Sequence, residues 1–93
     1  MTEMDVDCRP SAAGWTCHVT LRSPDGSRTT HDVAVSGADR DRLAPDAPDP
    51  TDLVRRSFEF LLAREPKESI LRRFDLPLIG RYFPEYEATV GAG

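Results

Sequence analysis

The stretch Asp49 to Tyr86, DPTDLVRRSFEFLLAREPKESILRRFDLPLIGRYFPEY, holds most of the large apolar side chains and decides the fold. Its apolar residues recur at helical spacing through three short segments separated by prolines. Asp49 is placed to cap the first helix, Pro50 to take its first position, and Asp52 to supply the acid of a capping box. Leu53, Val54, Ser57, Phe58, Phe60, Leu61 and Leu62 then cover about 200° of a helical wheel, leaving Arg55, Arg56, Glu59 and Ala63 outside. So wide an arc requires cover on two sides. Pro66 ends this helix and opens a second, with Ile70, Leu71 and Phe74 on one face and Lys67, Arg72 and Arg73 pointing away. A third runs from Asp75 to Phe83, with Leu78, Ile79, Tyr82 and Phe83 inward, and Pro84 stops it.

Upstream, Trp15 to Val35 has the period of two of a β-hairpin. Trp15, Cys17, Val19 and Leu21 lie on one face, and Thr16, His18, Thr20 and Arg22 on the other. The turn Ser23-Pro24-Asp25-Gly26-Ser27 fixes the register. Proline suits the first central position of a type I turn, and Gly26 can take the left-handed conformation of a G1 bulge. Ser23 then opposes Ser27, Leu21 opposes Thr29, Val19 opposes His31, Cys17 opposes Val33 and Trp15 opposes Val35. A two-residue Asp-Gly loop would put the apolar sets of the two strands on opposite faces, so the pattern selects the bulged form.

The expected fold is α+β, an antiparallel hairpin packed against two or three short helices, with a third strand possible at residues 4–8. Residues 1–14 read as a flexible lead-in or a weak first strand, 15–86 as a single domain, and 87–93 as a flexible tail. Residues 37–44 predict a short helical turn with Asp39 near its start and Leu43 as its anchor. An acidic, proline-rich connection follows.

Composition narrows the partners. The net charge of −4 is uneven: residues 1–50 carry nine acids and five bases, and residues 51–93 carry seven of each. An acidic whole does not attract phosphate backbones or anionic lipid, so nucleic acid is an unlikely partner, and no apolar run is long enough for a membrane span. The acidic start MTEMDVD lacks the pattern of a secretory leader, which predicts a soluble cytoplasmic protein with Cys8 and Cys17 reduced. A core this small is often completed by a partner or a second copy.

No residue set carries chemistry. Cys8, Cys17, His18 and His31 are ligand types for zinc, but strand alternation sends Cys17 and His18 to opposite faces and no compact Cys-x-x-Cys pair exists. Cys17 with His31 is the one same-face nucleophile and base pair, and its neighbours Trp15, Val19 and Val33 look like core. Asp39, Asp41, Asp46, Asp49 and Asp52 lack the turn glycine of a calcium loop. A helix-turn-helix over 66–83 would leave Arg81 as its lone obvious base reader. No catalytic residue, metal or cofactor is expected, and an enzyme is not the first reading.

What remains is a contact surface. Aromatics with arginine neighbours favour protein interfaces, and Phe60, Arg64, Arg73, Arg81, Tyr82 and Tyr86 are the candidates. The expected role is a small interaction or regulatory module, binding a protein partner or itself as a homodimer. A nucleic-acid-associated protein and a small thiol-dependent enzyme are the alternatives.

The stretch Arg56 to Tyr86, with Ser69-Ile-Leu and Tyr82-Phe-Pro as its most specific elements, resembles a group of short bacterial proteins with a similar helical ending. The likeness covers about a third of the chain. It implies no activity, cofactor or binding residue, because the group has no known function.

Overall fold

The bulged turn sets the sheet. In the computed structural model, which describes residues 2–91, Ser23 N donates to Ser27 O at 2.9 Å and Gly26 N to Ser23 O at 3.0 Å. Gly26 takes φ +89°, a region that side chains with a Cβ avoid. The Asp25 carboxylate accepts from Ser27 Oγ at 2.6 Å and Ser27 N at 2.9 Å, which holds it below the usual carboxylate pKa. Strands β2 (Gly14–Arg22) and β3 (Arg28–Ser36) therefore pair as the residues require, Leu21 with Thr29, Cys17 with Val33 and Trp15 with Val35.

The amino-terminal segment takes the strand alternative and extends it beyond residues 4–8. β1 (Glu3–Ser11) pairs antiparallel with β2 along its whole length, from Glu3 opposite Arg22 to Ser11 opposite Gly14. Pro10 to Gly14, expected as loose chain, is the end of this strand and a tight turn. Gly14 has φ +152°, and a Cβ there would lie 2.3 Å from the Val35 carbonyl oxygen, so only glycine fits. Met4, Val6 and Cys8 join the inner face beside Leu21, Val19 and Cys17.

A fourth strand comes from an unexpected place. The second helix, expected from Pro66 to Phe74, is one 3₁₀ turn at Lys67–Ser69 followed by extended chain and a short strand β4 (Arg73–Asp75). β4 lies parallel to β3, with Val33 opposite Phe74, giving the sheet order β1-β2-β3-β4. Asp32 N donates to Arg72 O at 2.7 Å and Leu76 N to Ala34 O at 2.9 Å. The backbone of β3 would otherwise be unpaired along that edge, and satisfying it outweighs the helical spacing of Ile70, Leu71 and Phe74. The alternation Arg73 out, Phe74 in, Asp75 out, Leu76 in was the available signal.

Helices cover one face only. α1 (Gly37–Leu43) is the expected helical turn anchored by buried Leu43, and it starts on a reciprocal capping box between Ser36 and Asp39. α2 (Thr51–Leu62) buries Leu53, Val54, Ser57, Phe58, Phe60 and Leu61. Its expected capping box does not form: Pro50 stands at the cap, and Asp49 accepts from Thr51 N at 2.9 Å instead. α3 is confined to Leu78–Tyr82, since Asp75 is spent in β4. The segment expected as a flexible tail folds as α4 (Tyr86–Val90) and seals the core with Tyr86 and Val90; Ala92 and Gly93 fall outside the described residues, as does Met1.

The core joins Val19, Leu21, Val33, Val35, Leu53, Val54, Phe58, Leu76 and Tyr86, each at most 1% exposed. Lys67, itself buried, reaches back to the β2–β3 turn, its Nζ donating to Ser27 Oγ and meeting Glu68, each at 2.7 Å. The other face of the sheet, with Thr16, His18, Arg22, Thr30 and Asp32, is polar, and His18 pairs there with Asp32 at 2.7 Å.

The free edge of β1 is blunted. Cys8 and Cys17 stand 3.9 Å apart at Cα, the close spacing of a pair whose peptide groups point away from each other's strand. Met4, Val6 and Cys8 thus turn their peptide groups outward. Arg55 Nη1 covers Met4 O at 3.3 Å, and Pro10 has no N–H to offer.

Candidate functional site

An apolar groove lies where α2 ends and the 70–83 segment crosses it. Leu61, Glu65, Ser69, Ile70, Leu71, Phe74, Leu78, Ile79, Tyr82 and Phe83 line a groove of about 370 Å³. Two of these side chains stand out from the rest of the chain. Leu71 is 50% exposed and Tyr82 68%, the only large hydrophobics so exposed among the described residues. The volume, near the lower end of the range for ligand clefts, holds one or two side chains of a partner.

The groove's walls follow from the strand that replaced the second helix. In extended chain, Ile70 and Phe74 drop into the core while Leu71 turns to solvent. Beneath it, the imidazole of His31 is held between two partners. Nδ1 donates to the Leu71 carbonyl at 2.7 Å, and Nε2 accepts from Thr29 Oγ1 at 2.8 Å. A carbonyl can only accept, so Nδ1 carries a proton, and in the neutral ring Nε2 is left to accept from the Thr29 hydroxyl. The ring is 1% exposed and packs 5.4 Å from Phe58. It pins the groove's backbone at Leu71.

Burial pushes the His31 pKa below its ordinary 6.5, and the bond to Leu71 opposes that only partly. The unfolded chain then binds a proton first as pH falls, so the contribution of His31 is complete above about pH 6.5 and declines below it. The carboxylates held low by hydrogen bonds, Asp25, Asp49 and Glu68, lose their contributions only below their ordinary values of 3.8 to 4.5, a separate window. We expect the urea midpoint to fall from about pH 7.5 to about pH 5, and the fall to vanish in His31→Gln. A flat midpoint over that range contradicts this placement of the ring.

The sequence candidates divide. Tyr82 lines the groove, and Arg64 sits at its rim, its guanidinium 3.5 Å from the Phe60 ring centroid and 6.0 Å from that of Phe83. Arg81 is exposed beside Tyr82 on α3. Arg73 lies in β4 opposite Asp32 and faces the open side of the sheet, not the groove. Phe60 and Tyr86 are corrections: at 5% and 0% exposure they belong to the core. Their rings meet edge to face at 5.5 Å, and the Tyr86 hydroxyl lies 2.6 Å from Ser57 Oγ. Leu71 was missed as a contact residue because the expected helix after Pro66 would have turned it inward.

The thiols are also corrected. Cys8 and Cys17 form a disulfide, so neither is the reduced nucleophile that a thiol-dependent enzyme requires. Cys17 and His31 share the inner face in register with Val33 and Val19, and both are sealed from solvent. Among the described residues, no three His, Cys, Asp or Glu side chains converge as metal ligands, and no helix is long and apolar enough to cross a membrane.

Comparison with known protein families, curated protein sequences and solved structures gives no match to this chain.

Proposed function

We propose that the protein is a small interaction module whose groove takes an apolar side chain of another protein. The observation that carries this is the pairing of Leu71 and Tyr82 at an apolar groove, while the other large hydrophobics among the described residues are buried or half-buried. Exposed apolar surface of this kind costs solubility and marks contact sites when it is contiguous. The backbone at Leu71 is fixed from below by His31, which keeps the site formed before a partner arrives and lowers the ordering cost of binding. The proposed setting is the cytoplasm, which requires the fold to survive opening of the Cys8–Cys17 bond.

Selection of random displayed peptides tests the reading. The intact protein should enrich sequences with a recurring apolar anchor, and a Leu71→Ser, Tyr82→Ser double variant should lose them. Both side chains are exposed, so the variant's unfolding free energy should change by no more than about 0.5 kcal/mol per site. Failure to enrich any sequence, or enrichment that survives the double variant, overturns the assignment.

A further inference from the structure

We infer that the partner is an acidic segment of another protein, with its apolar anchor flanked by carboxylates; this rests on the groove being a binding site. The chain is acidic overall, yet the region around the groove is not. Arg64, Arg72 and Arg81 are exposed there, either at the rim or next in sequence to the lining residues Leu71 and Tyr82. None of the three makes an ion pair among the described residues, so their charges are not neutralised by a carboxylate of this chain. Arg64 bonds only the Phe60 carbonyl of its own helix, at 3.0 Å, which leaves other guanidinium donors free. Guanidinium groups beside an apolar pocket match carboxylates spaced around an aliphatic or aromatic anchor.

The same charges decide against the alternatives. A second copy docking groove to groove would bring the two arginine rims together, which like-charge repulsion disfavours. A basic segment would meet the same rim. Glu65 is the one anion lining the groove, beside Ser69. Both can accept backbone N–H groups from an extended peptide, so neither needs a cationic partner.

Three fluorescein-labelled peptides with the same central leucine and phenylalanine, flanked by glutamates, by serines or by lysines, test this by anisotropy. At about 50 mM salt the glutamate peptide should bind about tenfold tighter than the serine peptide, and the lysine peptide weakest. At about 500 mM salt the spread should shrink to about twofold. A triple Arg64→Glu, Arg72→Glu, Arg81→Glu variant should reverse the order while keeping its unfolding midpoint. If the three peptides bind equally and the Leu71→Ser, Tyr82→Ser variant abolishes all of them, the groove stands and the acidic partner is overturned. A preference for the lysine peptide overturns it too. If none binds and display also fails, the groove assignment falls and this inference with it.

Discussion

Replacing Tyr86 with alanine will cost about 3–5 kcal/mol, the range for emptying a large aromatic site in a core. The ring is fully buried, wedged edge to face against Phe60, and anchors a segment with no other large side chain than Val90. For a protein of this size that is a large part of the total stability, about 5–15 kcal/mol for domains in general. Tyr86→Phe isolates the hydroxyl. Ser57 Oγ donates to the Leu53 carbonyl at 2.7 Å, so the phenol must donate to Ser57, and its loss leaves that oxygen short of a partner at a cost of about 1–2 kcal/mol. Burial pushes the phenol's pKa from 10.0 up to about 12. Because the folded value is the higher one, its contribution is complete below pH 10 and is lost as pH rises toward 12, so alkaline unfolding should begin in that window. Urea titrations of both variants decide. An alanine variant as stable as the parent would mean that Tyr86 is a surface anchor after all.

Reduction of the Cys8–Cys17 bond will lower stability by about 2.5–3 kcal/mol, the loop-closure value for a link across so short a span. The two cysteines are nine positions apart on neighbouring strands, and those strands pair along the whole length from Glu3 to Ser11. The reduced protein should therefore stay folded, with a lower urea midpoint, an unchanged denaturant slope and a melting temperature lower by about 10–20 °C. Cys8→Ser, Cys17→Ser should match the reduced protein and no longer respond to reductant. Thiol counting that finds two free cysteines without reductant, or a midpoint insensitive to it, would remove the bond from the account.

Much of the sheet was legible because its signals are local. The Pro24-Asp25-Gly26 turn sets its own geometry, and with it every cross-strand pair from Arg22 and Arg28 to Trp15 and Val35. Ser36 with Asp39, and the apolar arc of α2, are likewise complete within a few residues of chain. The second half resisted where a distant partner decided. Ile70 to Leu76 carries helical spacing and strand alternation at once, and the unpaired edge of β3, some forty residues away, chose between them. That choice also turned Leu71 outward, where it lines the proposed site. Exposure of Tyr82 and Arg64 could be read in advance as a possibility, but not which of the aromatics the small segment 86–90 would cover.

The parallel pairing of β3 with β4 bears on the order in which the molecule is assembled. The two hairpins close over a few residues each, at little entropic expense, whereas Phe74 must be carried back to Val33 across α1 and α2 before it gains anything. During synthesis the three-stranded meander can thus form while its fourth member is still within the ribosome. The groove is lined by residues 61–83, so a nascent polypeptide stopped short of them would carry the three-stranded meander but not the proposed binding surface.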